Sequence, residues 1–419
     1  MNKELIKQII LKQQKFIEKV EILPRELNLE EVGNYVFTGS RRAGKSYMLY
    51  QCVQELLKKG HSIEEILFIN FEDERISDIK SNELNIILES YSELFDKQPI
   101  IFLDEIQNVE GWEKFARRIA DENKQIFITG SNAHMLSREI ATTLGGRYLI
   151  KEIYPFDFEE YLRYENFTLE NNWEYSPQKT DIVRFFEEYF HFGGFPEIIR
   201  YHDKRSWLTS LYQRIFFSDI IVRNGIRNEQ MLRLLVRKLA ENVMQPTSIQ
   251  RLRNILEGTG NKISRATISE YLNHLQEAYV IFSIPNFTDK LSERESYKKH
   301  YFFDNGILNL FLYQPETKLL ENLVALTLWK KYKEGLFYYM KNVEVDFYVP
   351  NEQLAIQASY SITDDLTFER EVNALKKIAQ AFNIQKLFII TKNQEKEIKV
   401  ENSIIKAIPI WKWLLSVNL

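Results

Sequence analysis

Between Asn34 and Tyr154, short apolar runs alternate with longer stretches whose apolar residues recur every three or four positions. The runs are Tyr35–Thr38, Ile66–Phe71, Ile100–Leu103, Ile126–Thr129 and Tyr148–Ile153. Each is nearly continuous in apolar residues, which suits a strand buried on both faces. The stretches between them read as amphipathic helices: Lys45–Leu57, Asn82–Phe95 and Trp112–Glu122. In the first, Met48, Leu49, Cys52, Val53 and Leu56 share one face. Alternating strands and helices predict a parallel α/β sheet covered on both sides.

The pattern changes after Pro155. Residues 155–225 read as mostly helical and rich in aromatics, broken by the turn Gly193-Gly194-Phe195-Pro196. Residues 226–290 hold several short helices and residues 291–419 return to mixed strand and helix. Strand candidates there are Leu336–Lys341, Val343–Val349, Leu354–Tyr360, Lys386–Thr391 and Ile405–Ile410, flanked by helices at about 319–333 and 367–382. Residues 1–30 read as a leading helix and a connector around Pro24, so 1–154 forms the first expected domain.

Composition changes this picture little. The 419 residues carry a net charge of −4, which gives no global argument for nucleic acid or an anionic membrane, though a local basic face stays open. One cysteine, Cys52, excludes an intrachain disulfide and fits a reducing compartment. Met1–Leu23 mixes charged and apolar residues at helical spacing and does not read as a signal peptide. No run of about 18 apolar residues occurs, so a cytoplasmic chain without a membrane partner is expected.

Gly39-Ser40-Arg41-Arg42-Ala43-Gly44-Lys45-Ser46 has the spacing of a P-loop (Walker A) and lies between a predicted strand and a predicted helix. Glycines let backbone N–H groups turn inward around an anion, and the helix N-terminus adds positive potential. Lys45 is expected to reach the β- and γ-phosphates, and Ser46 to ligate Mg²⁺. Tyr47 follows as a further nucleotide contact. Ile100-Ile101-Phe102-Leu103-Asp104-Glu105 is an apolar strand ending in two acids. Asp104 is placed to hold the Mg²⁺ shell and Glu105 to act as general base on the attacking water. No Asn-Lys-x-Asp motif follows the loop, which favours ATP over GTP.

On these motifs the first half resembles the AAA-type ATPases of bacteria and archaea. Ile126-Phe127-Ile128-Thr129-Gly130-Ser131-Asn132 is similar to that family's sensor strand, which implies Ser131 or Asn132 near the γ-phosphate; a Gly-Ser-Asn turn with local hydrogen bonds is the other reading. Leu144-Gly145-Gly146-Arg147 is similar to a segment ending in an arginine. Arg147 would then stabilise transition-state charge, on its own or a neighbour's nucleotide, unless it only makes a surface ion pair. The resemblance also implies that Pro196, in the lid turn, packs near the adenine, or that the turn only breaks a helix. Asn70–Arg75 resembles a further family segment, in which Glu72 or Asp73 either faces the magnesium or only ends the strand.

Leu234–Phe287 reads as a helix-turn-helix resembling a winged helix, an all-α module in this reading, with Val280–Phe287 as the following strand. Arg265, Thr267 and Ser269 would meet DNA if the second helix entered a major groove, but no Lys/Arg cluster with interleaved aromatics supports it. The order helix, three strands, helix, strand in 319–391 resembles the restriction-endonuclease-like fold. Glu321 and Asp346 fit that family's acids, but Gln357 stands for its next acid and Ser359 for its lysine. A lysine on the following helix, Lys376 or Lys377, is the open substitute. The resemblance therefore implies a nuclease-derived domain used for binding or regulation.

The expected architecture is a P-loop domain with a helical lid, a winged helix and a second α/β domain. The expected function is an ATPase switch acting on a protein partner or a second copy. An ATP-gated nuclease and a DNA-binding regulator are the alternatives.

Overall fold

The computed structural model describes residues 2–131, 146–258, 260, 262–288, 290–400 and 403–416. The chain divides into two compact units, Met1–Pro155 and Phe156–Leu419.

The first unit is a parallel sheet of β1 (Asn34–Thr38), β2 (Ile66–Asn70), β3 (Ile100–Asp104), β4 (Ile126–Gly130) and β5 (Tyr148–Glu152), in the order β2-β3-β4-β1-β5. Its two faces differ because successive side chains point to opposite sides. Tyr35, Phe37, Phe68, Phe102 and Phe127 share one face, with ring centroids of Phe102 and Phe127 4.7 Å apart. The helix α2 (Lys45–Lys58) covers them with Met48, Leu49, Cys52 and Val53. Val36, Leu67, Ile69, Ile101, Leu103, Ile126 and Ile128 share the other face. There they meet α1 (Lys3–Ile17), α3 (Asn85–Ser92) and α4 (Glu113–Asp121). Burying each such side chain stabilises the fold by roughly 1.5–3 kcal/mol, which is why strands apolar on both faces end up inside. Gln14 of α1 is buried and donates to the carbonyls of Ile63 and Ile66, fixing where β2 begins.

The second unit begins with α5 (Phe158–Tyr164), α6 (Gln178–Phe192) and α7 (Lys204–Arg214), the last running into a π-helical turn at Ile215–Val222. Then come α8 (Glu229–Glu241), α9 (Ile249–Glu257) and α10 (Arg265–Glu277). They are followed by an antiparallel hairpin of β6 (Ile281–Pro285) and β7 (Lys298–Phe302), to which Thr247 adds a bridge at Lys298. The middle segment is thus not all-helical as expected: β7 opens with Lys298-Lys299-His300, whose charge conceals a strand buried from Lys299 onward. After α11 (Asn305–Asn309) and α12 (Glu316–Tyr332), the strands β8 (Phe337–Met340), β9 (Glu344–Val349) and β10 (Leu354–Ala358) precede α13 (Asp365–Phe382). The chain continues through β11 (Lys386–Thr391), β12 (Lys396–Val400), β13 (Ser403–Pro409) and α14 (Ile410–Ser416). These strands form a mixed sheet, β12-β13-β11-β10-β9-β8.

The three segments expected after residue 154 share this one compact unit. Buried Asp304 accepts from Gly194 N at 2.9 Å, and Asn305 donates to Phe190 O at 2.9 Å. Lys392 pairs with Glu187 at 2.8 Å and its ammonium lies 3.8 Å from the Phe190 ring centroid. Gly193 has φ of 78°, and a Cβ there would meet Asp304 Oδ2 at 2.1 Å, so a glycine is required for the turn to seat on that carboxylate. Among the described residues no helix is long and apolar enough to cross a membrane.

Candidate active site

Strand β1 ends at Thr38 and the chain turns sharply through the P-loop into α2. Gly39 carries φ of 152°, and a Cβ on it would meet Ile153 O at 2.0 Å. Gly44 carries φ of 98° and Arg42 61°, so two left-handed residues curl the loop. Gly44 caps α2 without a side-chain bond, which leaves the first-turn N–H groups facing the loop interior. Arg25 Nη1 donates to Ala43 O at 3.4 Å and to Tyr154 O at 3.0 Å, holding the loop from outside.

Lys45 is buried. Its ammonium donates to Gly39 O at 3.2 Å and Ser40 O at 3.1 Å, and stands 3.5 Å from Glu105 Oε1. Asp104 and Glu105 lie at the carboxyl end of β3, the end at which β1 feeds the loop. Thr129, at the end of β4, joins the two acids: its hydroxyl donates to Asp104 Oδ1 at 2.5 Å and accepts from Glu105 N at 2.8 Å. Ser46 lies beside Asp104 and acts to lower its pKa. Glu105 has φ of 53°, which swings its side chain away from the strand toward Lys45. Gln107 donates to Glu105 Oε2 and, at 3.3 Å, to Ser131 Oγ.

Two buried oxygens here, Ser40 Oγ and Asp104 Oδ2, have no partner among the described residues. Burial, then the neighbouring Glu105, pushes Asp104 up to about 6, against the pull of Thr129, Ser46 and Lys45. Burial also acts to raise Glu105, but the Lys45 charge, the Gln107 amide and Arg41 outweigh it and hold that carboxyl below its ordinary value. The donor set is hard oxygen beside an ammonium and free helix N–H groups, which fits a magnesium–polyphosphate.

Lys45, Ser46, Asp104, Glu105 and Ser131 are thus brought together, Ser131 through Gln107. Thr129 and Gln107 were missed by the sequence reading. A threonine one residue before the Gly-Ser turn, level with the acid pair, was the available signal. Tyr47 is half-exposed and packs edge-on to Tyr50. Arg41 pairs with Glu72 at 3.0 Å, and Asp73 pairs with Arg75. Asn132 lies outside the described residues.

Arg147 lies at the opposite end of the sheet from the P-loop. It precedes Tyr148, which pairs with Asn34 at the start of β1, whereas the P-loop leaves the far end. Four to five residues of strand, about 15 Å, separate the two edges. Its guanidinium pairs with Asp121 at 2.6 Å, as in the ion-pair reading. Pro196 lies in the second unit, where it opens the turn Pro196–Arg200 behind the clasped Gly193-Gly194.

Glu321, Glu344 and Asp346 of the second unit also meet a buried lysine, but one the sequence reading did not name. Lys299 Nζ lies 3.0 Å from Glu344, 3.0 Å from Asp346 and 3.5 Å from Glu321. Gln357 accepts from Asp346 N and donates to Glu344 O, and Ser359 donates to Ser361 O.

The sheet order, the loop and the paired acids define a P-loop domain. A family model described as an AAA domain matches residues 33–162, and a second, described as a domain of unknown function (DUF8612), matches residues 183–318. The chain is 36% identical to the uncharacterized protein MJ1544 of Methanocaldococcus jannaschii, over 99% of its own length and 96% of that protein's, and it belongs to the same family. An uncharacterized protein of Haemophilus influenzae is 28% identical over 91% of this chain and 94% of its own. Among solved structures, a Walker-type ATPase of Pyrococcus abyssi covers 74% of this chain and 95% of its own at 16% identity, with a TM-score of 0.42, too loose a likeness to fix any detail.

Proposed function

We propose that the protein binds ATP with Mg²⁺ in the P-loop and hydrolyses it, using the nucleotide state as a switch on a protein partner or a second copy. One observation carries this reading: a buried ammonium beside two partnerless buried oxygens, Ser40 Oγ and Asp104 Oδ2, at the mouth of a helix. Unsatisfied buried polar atoms cost about 1–3 kcal/mol each, and a bound ligand removes that cost.

Lys45 exchanges its loop carbonyls for the β- and γ-phosphate oxygens. Ser46 and Asp104 hold the Mg²⁺, which when bound neutralises phosphate charge. Glu105, kept ionised by Lys45, takes the proton of the attacking water, and Gln107 with Ser131 holds that carboxylate in place. Thr129 fixes the angle between the two acids. Arg147 takes no part within the chain.

In the second unit, α8, α9, α10 and the β6–β7 hairpin support a winged-helix reading. The order α12, β8, β9, β10, α13, β11 supports a restriction-endonuclease-like frame without activity. DNA reading by α10 gains nothing, because the Thr267 hydroxyl is bonded to the Ser264 cap at 2.8 Å.

The test is calorimetry with Mg-ATP together with phosphate release. Lys45→Ala is expected to lose binding. Glu105→Gln is expected to bind and to lose about 10²- to 10⁴-fold in turnover. Normal turnover in Glu105→Gln removes the base assignment, and folded protein that takes up no purine triphosphate removes the whole reading.

A further inference from the structure

Lys299 is fully buried, with 0% of its side chain exposed, and three carboxylates surround its ammonium. They come from two elements: Glu321 from α12, and Glu344 and Asp346 from the start of β9. Two of the three acids are also held by protein donors. Tyr301, two residues along β7 on the same face, donates to Glu321 Oε1 at 2.7 Å. Ala358 N donates to Asp346 Oδ2 at 3.0 Å. Gln357 ties β10 to β9 by a bond at each end of its amide, at 2.8 and 3.1 Å. The cluster opens on one side to a cleft of about 1230 Å³, where Arg370 and Glu371 form a pair of their own at 2.6 Å.

Three acids this close repel one another, and burial sharpens the repulsion. Some cation must stand among them. In a restriction-endonuclease-like frame that cation would be a divalent metal, held by carboxylates on neighbouring strands. The residues here do not fit one. Both ends of the Gln357 amide are spent on the backbone, Ser359 is turned to Ser361, and the centre of the acid set is filled. The filling group arrives from another element, the hairpin strand β7. Burial alone would drive the Lys299 ammonium to lose its proton, but Glu321, Asp346 and Glu344 outweigh it and raise its pKa, so it stays charged. Glu321 is pushed up to about 8, first by burial and then by Asp346, against Lys299.

We propose that Lys299 is a built-in cation occupying the place of a divalent metal among Glu321, Glu344 and Asp346, so that this cleft takes no metal while the ammonium is present. It also ties the β6–β7 hairpin to the sheet through its pairs with Glu344 and Asp346 of β9. The claim stands apart from the nucleotide reading, since none of its residues belongs to the P-loop unit. Removing the ammonium leaves oxygens about 3 Å from a common point, and an inward shift of under about 1 Å brings them to Mn²⁺ or Ca²⁺ bonding distance.

The experiment uses the full chain without nucleotide and follows free Mn²⁺ by its electron paramagnetic resonance signal. The wild type is expected to show no Mn²⁺ site that Asp346→Asn abolishes. Lys299→Ala, and the milder Lys299→Gln, are expected to gain one site per chain, with Mn²⁺ affinity raised by about tenfold or more, because a neighbouring positive charge is gone. Adding Asp346→Asn to either variant should erase the gain. A wild-type site lost in Asp346→Asn overturns the proposal, as does the absence of any gain in a Lys299 variant with wild-type circular dichroism. The wild-type comparison decides against or for the blocked site even if neither lysine variant folds.

Discussion

Lys45 and Lys299 are both buried lysines facing acids, and they differ in what is left over. Around Lys45 the partners are two loop carbonyls and one carboxylate, while Ser40 Oγ and Asp104 Oδ2 go without bonds. Around Lys299 three carboxylates converge, and Tyr301, Ala358 and Gln357 bond the acids or their backbone. The first set is incomplete among the described residues, and the second already holds a cation between its acids. An incomplete buried polar set points to a ligand, whereas a complete one is structure, even when its residue types belong to catalysis.

The largest effect that could break this contrast concerns stability. Removing one member of a buried ion pair strands the other and costs about 3–5 kcal/mol. Lys299→Met is therefore expected to lower the protection of the β7 and β9 amides in hydrogen exchange by about 10²- to 10³-fold. Lys45→Met is expected to change protection around β1 and β3 by less than about tenfold without nucleotide, because a ligand-ready site carries strain that its removal relieves. Equal losses in the two variants would mean that completeness is not what separates the two sets.

A smaller effect, with a pH signature, tests the orphaned oxygen of Asp104. Its folded-state pKa lies at about 6 against an ordinary 3.8, so between those values the folded chain binds more protons than the unfolded one. Stability then falls as pH rises through that window and levels off above it. Asp104→Asn keeps an oxygen to accept from Thr129 and carries no charge. Without nucleotide it is expected to be more stable than wild type by about 1–3 kcal/mol at pH 7 and about equal near pH 4. The same change should cost Mg²⁺-dependent turnover. A stability gap of the same size at both pH values would show that Asp104 is not the titrating group.

How far these sites were legible follows from how local their causes are. Strands β1 to β4 could be read from apolar runs because both faces of each are buried, the edge strand β5 from an apolar run whose Leu149 and Ile150 stay exposed, and the P-loop from spacing because its chemistry is contiguous. Thr129 needed one fact more, that β4 lies beside β3, which sets it level with Asp104. Lys299 was out of reach. Its carboxylates lie 22 to 47 positions away, and a segment opening Lys-Lys-His reads as a polar turn until those acids neutralise it. Strand β12, Lys396–Val400, was passed over for a related reason: it is an edge strand with three exposed charged positions, Lys396, Glu397 and Lys399. Gln357 was read as a lost acid, and the structure shows what its amide does instead. The single compact second unit could not be foreseen either, since Asp304 and Gly194, which clasp it, are 110 residues apart.

The smallest expected effect concerns Arg147, the residue whose sequence setting and structural place disagree most. It resembled an arginine that answers phosphate charge, yet it stands at the amino edge of the sheet and pairs with Asp121, both side chains well exposed at 39% and 44%. Exposed pairs contribute about 0.2–1 kcal/mol, so Arg147→Ala should leave the melting temperature nearly unmoved. Because the guanidinium points away from its own loop, turnover per chain in dilute protein should stay within about twofold of wild type, far from the 10³- to 10⁵-fold that an arginine acting on the transition state supplies. The measurement is phosphate release across a wide range of protein concentration. A loss in Arg147→Ala that emerges only in concentrated protein would place this side chain against a neighbouring copy's nucleotide, and would turn the edge of β5 from an outer surface into half of a shared site.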